Sequence, residues 1–397
     1  MKFKIRVSIL VFLLVLSALV LTGCQKAAKI PVKPPYDNPL PPGQSALRKI
    51  TDPAQIPDFS AATTDPNLRE AISNSINYLS KPSSNGYYPC GEITHQMAVD
   101  SLNEFAAILD SGISGPELNA VIREKFDVYM SVGCDFEGTV LFTGYYTPIF
   151  NGSPVQSERF KYPLYKAPDT LVKGDNGEIL GRRMADGQII PYPPRAVIED
   201  AYVLKGNELV WLEDEFEAYI AHVQGSAKIR MPDGNLETVG YAANNGHEYR
   251  GISGQMIQDG VISGAQLNLT SMIEYFKQNV DQVKRYTRLN PRFVFFRKED
   301  GNPRGSLNEP VMQMRTIATD KSVFPRGCLA FIATSLPQEV DQQSVIRPYS
   351  GFALDQDTGG AIRAAGRCDV YMGVGEMAGK LAGETYQEGK LYYLFLK

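Results

Sequence analysis

The string ALDQDTGGAIRAAGRCDVYMG (353–373) sets Asp355, Asp357 and Asp369 among glycines, alanines and apolar side chains. An unpartnered carboxylate is expensive to desolvate in such company. Acids so placed suit proton transfer or cation binding, and solvated turn caps are the ordinary alternative. The glycine pair of DTGG predicts a turn between two strands. CDVYMG then alternates as a strand, with Asp369 on the same side as Tyr371.

Cation binding finds little support. Asp355-x-Asp357 opens like a calcium loop, but the twelfth position, which should be glutamate, is Gly366. A two-carboxylate magnesium site stays open without other ligands near it in sequence. His95, His222 and His247 are far apart and lack H-E-x-x-H spacing, so each reads as structural or exposed. No G-x-S-x-G elbow or local Cys/His pair offers a nucleophile. GVGEMA (373–378) fits the dinucleotide pattern, yet the chain ends at Lys397, leaving no room for the βαβ unit it requires.

What remains is carboxylate chemistry beside an aromatic surface. Tyr145, Tyr146, Tyr162, Tyr165, Tyr192, Tyr241 and Tyr249 are available to flank a groove, and a phenol ring suits a sugar face. By default most such tyrosines pack in strands. In HVQGS (222–226), read as a glycine-broken strand, Gln224 and Ser226 face a polar ligand, while turn chemistry accounts equally for Gly225.

The elements that must hold these residues follow from texture. The 397 residues, with formal net charge −4, allow two or more cores and give no basic field for nucleic acid. Lys2, Lys4 and Arg6 precede an apolar run from Val7 to Leu21, too short to span a bilayer and built like an export signal. Cys24 after LTG resembles a bacterial lipobox, and Gln25 in the next position directs such lipoproteins to the outer membrane. Residues 24–64 are proline-rich and read as a tether.

Asp65 and Pro66 start a helix with the stripe Leu68, Ile72, Ile76 and Leu79. Further helices are expected near 93–110 and 115–130. Strand texture then begins at GTVLFTGYYTPIF (138–150) and runs to the C-terminus. It includes a hairpin turning at Pro232-Asp233-Gly234. One helix interrupts it, SMIEYFKQNVDQV, with a Ser271/Glu274 capping box and Ile273, Phe276, Val280 and Val283 inward. The expected class is mainly β with an α-helical start. Four cysteines follow Cys24; nearness along the chain favours Cys90 with Cys134 and Cys328 with Cys368, against the alternative of buried free thiols.

The strings TGYYTP (143–148), YPLYKAP (162–168), HVQGSAKI (222–229), NGHEYR (245–250), NPRFVFF (290–296), IATDKSVFPRG (317–327), DTGGAIRAAGRCDVYMG (357–373) and GEMAG (375–379) resemble, in order, the membrane-bound lytic murein transglycosylase A family. The C-terminal ones resemble its three-aspartate (3D) domain, whose acids fall on Asp320, Asp357 and Asp369. The resemblance implies a double-psi β-barrel (65–147 and 301–397) with a second β domain inserted at 148–300, and a groove between them for a peptidoglycan strand. It implies Asp369 as the catalytic acid, Asp357 and Asp320 as supports, and no metal or cofactor. With the residues above it nominates Tyr145, Tyr146, Thr147, Gln224, Gly225, Ser226 and Tyr249 for glycan binding.

Its reaction needs one acid. That group protonates the leaving glycosidic oxygen, then takes a proton from the muramyl C6 hydroxyl, which closes a 1,6-anhydro ring without water. Such an acid must hold its proton near neutrality, which desolvation or a neighbouring negative carboxylate favours. A wall-binding lipoprotein without activity, and a hydrolase on the same barrel with a second aspartate as base, are the competing readings.

Overall fold

The computed structural model describes residues 35–60, 65–174, 177–201, 203–264 and 268–397. The export signal and Cys24 lie outside them. Within the segment expected to be a tether, β1 (Leu47–Lys49) pairs antiparallel with β2 (Phe126–Ser131), Leu47 opposite Ser131. Ala46, Leu47, Ile50 and Phe59 are buried, and the Phe59 ring meets Phe331 edge-on at 4.9 Å. The tether reading therefore fails from about Ala46 onward: scattered prolines forbid helix but leave apolar anchors that join the core.

Helix α1 (Pro66–Leu79) starts as expected, Asp65 accepting from the Asn67 amide at 2.9 Å. Its Leu68, Ile72 and Leu79 are buried. Helix α2 (His95–Asp110) is capped by Thr94, and α3 (Gly115–Lys125) ends five residues early. Phe126–Ser131 was expected to finish that helix. Its alternating aromatic and branched residues instead form β2, whose Tyr129 lies opposite Tyr393. Strand β3 (Val140–Thr147) follows.

The chain then builds a second body with its own core. Strands β4 (Ile149–Ser153) and β5 (Tyr162–Tyr165) come first, then a three-stranded sheet of β6 (Leu171–Lys173), β7 (Ile179–Arg183) and β8 (Ile189–Ile190). After α4 (Arg195–Asp200) come β9 (Glu208–Leu212), α5 (Glu215–Gln224), β10 (Ala227–Arg230) and β11 (Leu236–Asn244). The β10–β11 hairpin turns at the expected place, with Gly234 at φ 87°. Helices α6 (Ser253–Gln258), α7 (Leu269–Gln278) and α8 (Val283–Thr287) precede β12 (Val294–Glu299). The large sheet runs β12-β11-β10-β4-β9-β5. Helix α7 is boxed by Asn268 with Ser271, not Ser271 with Glu274; it ends at Gln278, and Val280, expected inward, is 65% exposed.

The C-terminal strands β13 (Thr316–Ala318), β14 (Leu329–Val340), β15 (Gln343–Asp357), β16 (Arg367–Val374) and β17 (Tyr386–Leu396), with α9 (Glu376–Glu384) before the last, return to the first body. They pair in the ring β17-β14-β15-β13-β16-β3, and β3 pairs again with β17. This closed six-stranded barrel mixes parallel pairs, β13 with β15 and β3 with β16, among antiparallel ones. Closure leaves no free edge within the ring. At Gly144 on β3 an added Cβ would stand 2.6 Å from Ala382 Cα, so glycine there lets α9 lie against the strand.

No disulfide joins Cys90, Cys134, Cys328 or Cys368, contrary to the pairing that sequence proximity favours. Burial pushes the Cys328 thiol up to about 12 and that of Cys368 well above its ordinary value. These are packed thiols rather than thiolates poised for exchange.

Candidate active site

Register places the acids. Parallel pairing of β3 with β16 sets Thr143 opposite Asp369 and Tyr145 opposite Tyr371. On the other side Asp369 faces Ala318 of β13, which in turn faces Asp357 of β15. A single row thus crosses the barrel wall, Asp357–Ala318–Asp369–Thr143. At normal strand spacing the two aspartates' backbones stand roughly 10 Å apart.

The Asp369 side chain is 14% exposed. Its Oδ1 accepts from the Thr143 hydroxyl and from Arg367 Nε at 3.3 Å. Among the described residues Oδ2 takes part in neither contact. Arg367 also donates to the Ala361 carbonyl at 3.0 Å, which ties it to the loop between β15 and β16.

Asp357 is differently engaged. Oδ1 accepts from the Ser306 and Thr358 amides, each at 2.8 Å, and Oδ2 from the Tyr145 hydroxyl at 2.9 Å. Burial raises this carboxyl above its ordinary value, and these hydrogen bonds pull the other way. Asp320 accepts from the Ser322 amide and hydroxyl and from the Ala364 amide at 2.8 Å, joining the turn after β13 to the loop before β16. It braces backbone.

Asp355 belongs to the interior. It is fully buried, forms an ion pair with buried Lys321, and accepts from Thr319 and Tyr393 hydroxyls at 2.7 Å. Asp355 and Asp357, the pair on which the sequence leaves a magnesium site open, each have their own protein partners. Among the described residues no group of three or more His, Cys, Asp or Glu could hold a metal.

The nominated binding residues separate. Tyr145 reaches Asp357 as described. Tyr146 is buried, against Gly379 of α9, with its amide donating to Gln224 Oε1 at 3.2 Å. Thr147 is buried too, its hydroxyl bonded to Tyr371 at 2.9 Å and Ser226 at 3.2 Å. HVQGS is not a strand: His222 and Gln224 end α5, and Gly225 caps it at φ 79°. Asp214 caps the start, while Phe216, Tyr219 and Ile220 bury one helical face. Gln224 and Tyr249 line a cavity of about 270 Å³ with Phe216, Tyr219, Leu269 and Met272. Tyr249 also lies against Gly360, whose missing Cβ would stand 3.2 Å from the tyrosine's own. Tyr192 packs in the inserted body, and Tyr241 is exposed. Sequence reasoning missed Thr143 and Arg367, although both sit inside quoted strings.

The row of acids, the closed barrel and the inserted body frame the comparisons. The MltA specific insert domain matches residues 141–297, and the 3D domain matches 315–395. Together they account for the inserted body and for the C-terminal barrel segment that carries Asp320, Asp357 and Asp369. The chain belongs to the membrane-bound lytic murein transglycosylase A family. The protein of that name from Escherichia coli K12 is 28% identical over 301 residues, 74% of this chain and 75% of that one. The one from Vibrio cholerae is 29% identical over 273 residues, 67% and 68%. A membrane-bound lytic murein transglycosylase from Agrobacterium tumefaciens superposes with a TM-score of 0.70 at 25% identity, over 83% of this chain and 93% of that one. E. coli MltA with bound chitohexaose shares the fold, TM-score 0.63 at 23% identity, over 91% and 98%. The insert match spans the second body together with barrel strand β3, Thr143 included, and the 3D match spans barrel strands β13 to β17.

Proposed function

We propose that this protein is a lytic transglycosylase. It cleaves the β-1,4 bond between N-acetylmuramic acid and N-acetylglucosamine in peptidoglycan and leaves a 1,6-anhydromuramyl end. Membership of a family whose curated relatives are named lytic murein transglycosylases supports the reaction class. The observation that carries the mechanism is the unequal occupation of the two aspartates. Asp357 has both oxygens bound by protein donors, whereas Asp369 keeps Oδ2 clear of its two partners.

Asp369 first gives a proton to the leaving oxygen. The carboxylate so formed is held on Oδ1 by Thr143 and Arg367. It then takes the proton of the C6 hydroxyl as that oxygen closes on the anomeric carbon. A hydrolase needs a second carboxylate, either attacking or activating water. Asp357, with protein donors on both of its oxygens, is less suited to that work. The glycan runs between barrel and insert, past Tyr145, Gln224, Ser226 and Tyr249. The protein sits in the outer membrane through lipid on Cys24 and faces the periplasm, in keeping with relatives named membrane-bound.

Asp369→Asn is expected to lower release of anhydromuropeptides by roughly 10²–10⁴-fold while binding to glycan persists. Near-normal turnover in that variant would remove Asp369 from the mechanism. Binding without turnover in the unaltered protein would leave only a wall-binding role.

A further inference from the structure

Three arginines border the loop between β15 and β16. Arg367 has its ion pair with Asp369. Arg292, just before β12, lies on the insert side of the same loop. A Cβ at Gly360 would stand 3.4 Å from its Nε, and its Nη1 donates to the His247 carbonyl at 3.2 Å. Arg363, exposed on the loop itself, gives one long hydrogen bond to the Ile362 carbonyl at 3.4 Å. Among the described residues no carboxylate oxygen lies within 4 Å of the Arg292 or Arg363 guanidinium.

That is an unusual economy. A guanidinium carries five N–H donors, and Arg292 spends one of them on protein. Burial and the like charge of Arg363 weaken its hold on its proton, with Tyr241 and Glu248 opposing. A half-buried cation beside another cation is costly unless an anion visits it. The whole chain is net negative, so steering by bulk charge does not explain the pair. Gly360 brings Arg292 and Tyr249 onto the loop whose Ala361 carbonyl accepts from Arg367, the arginine paired with Asp369, so Arg292 and Arg363 share one loop with the partner of the proposed acid.

We propose that Arg292 and Arg363 form a carboxylate subsite for the peptide substituents of the glycan strand. The inference rests on the lytic transglycosylase reading. In such a strand the sugars are neutral, and the anionic groups are the free carboxylates of the short peptides on the muramyl residues. Guanidinium forks match carboxylates in a two-pronged geometry. The subsite draws that peptide to the insert side of the groove and seats its muramyl residue against Asp369.

The test compares peptide-bearing glycan strands with the same strands after carbodiimide amidation of their carboxyl groups. For the unaltered enzyme kcat/KM should be roughly tenfold higher on the acidic strands at low salt, and the preference should fall as salt rises. Arg292→Gln with Arg363→Gln should abolish the preference while amidated strands are cleaved at the unaltered rate, which also reports folding. Equal rates of the unaltered enzyme on both strands would overturn the subsite, as would an equal loss by the variant on both. Binding of the two strands is measured in parallel. No cleavage of either, with tighter binding of the acidic one, would sink the transglycosylase reading and keep the subsite.

Discussion

Among the described residues Asp369 is anchored through Oδ1, by a threonine 226 positions away and an arginine two positions away. In the proposed mechanism Asp369 presents its other oxygen to the glycosidic bond, and such one-sided restraint favours that geometry. Thr143→Val removes the hydroxyl at nearly constant volume. It should lower kcat about 10- to 100-fold with KM little changed, read on soluble glycan strands. An equal rise in KM with constant kcat would make Thr143 a binding residue. Asp369 drew notice as an acid inside the apolar strand DVYMG, while its proposed role came from the family resemblance. Thr143 was not legible, since only the parallel pairing of β3 with β16 brings it near, and TGYYTP advertises its tyrosines first. Adjacent tyrosines in one strand face opposite ways, so Tyr145 and Tyr146 could not both meet the same groove. The alternation rule already contained that answer.

Among the elements, α5 departs furthest from expectation. HVQGS looks extended beside a hairpin, but its helical reading depends on Asp214, eight residues before His222, capping a stripe that HVQGS only completes. Helix starts are local signals, and this one lay outside the string that drew notice. The same helix carries a pH effect. Glu217 is raised from 4.5 to about 7 by burial and by Asp214 and Glu213, against Lys277. The folded state therefore holds this proton where the unfolded chain has lost it. Stability from this group is full below pH 4.5 and lost as pH climbs to about 7. Glu217→Gln should flatten urea stability across that window. The gain over the unaltered protein at pH 7 and above should be about 1–2 kcal/mol, allowing for solvent screening of a partly exposed side chain. A parallel pH profile for the two proteins would contradict the assignment.

For the molecule as a whole, texture along the chain foretold a helical start and β-rich bodies, because period-2 patterning and turn residues are local. Barrel closure was not local. It joins β3, which precedes the insert, to β16 and β17 at the far end, and such pairings leave no mark in either segment alone. Family resemblance carried that part. The apparent tether misled for a related reason: proline content describes backbone freedom and is silent about Leu47 and Phe59, which the core claims. The architecture has one chemical consequence. Closing the barrel around Asp355 and Lys321 uses one acid for structure, and Asp320 and Asp357 accept from backbone, hydroxyl and phenol donors on both oxygens. Of these four aspartates Asp369, the proposed acid, is the one with no protein donor on Oδ2 among the described residues. A lone acid suits a sugar that closes on itself better than one attacked by water. Cleavage of glycan strands in water enriched in heavy oxygen, followed by mass spectrometry, tests this directly. The new muramyl ends should be unlabelled and one water lighter than reducing ends; heavy oxygen at those ends would contradict the account.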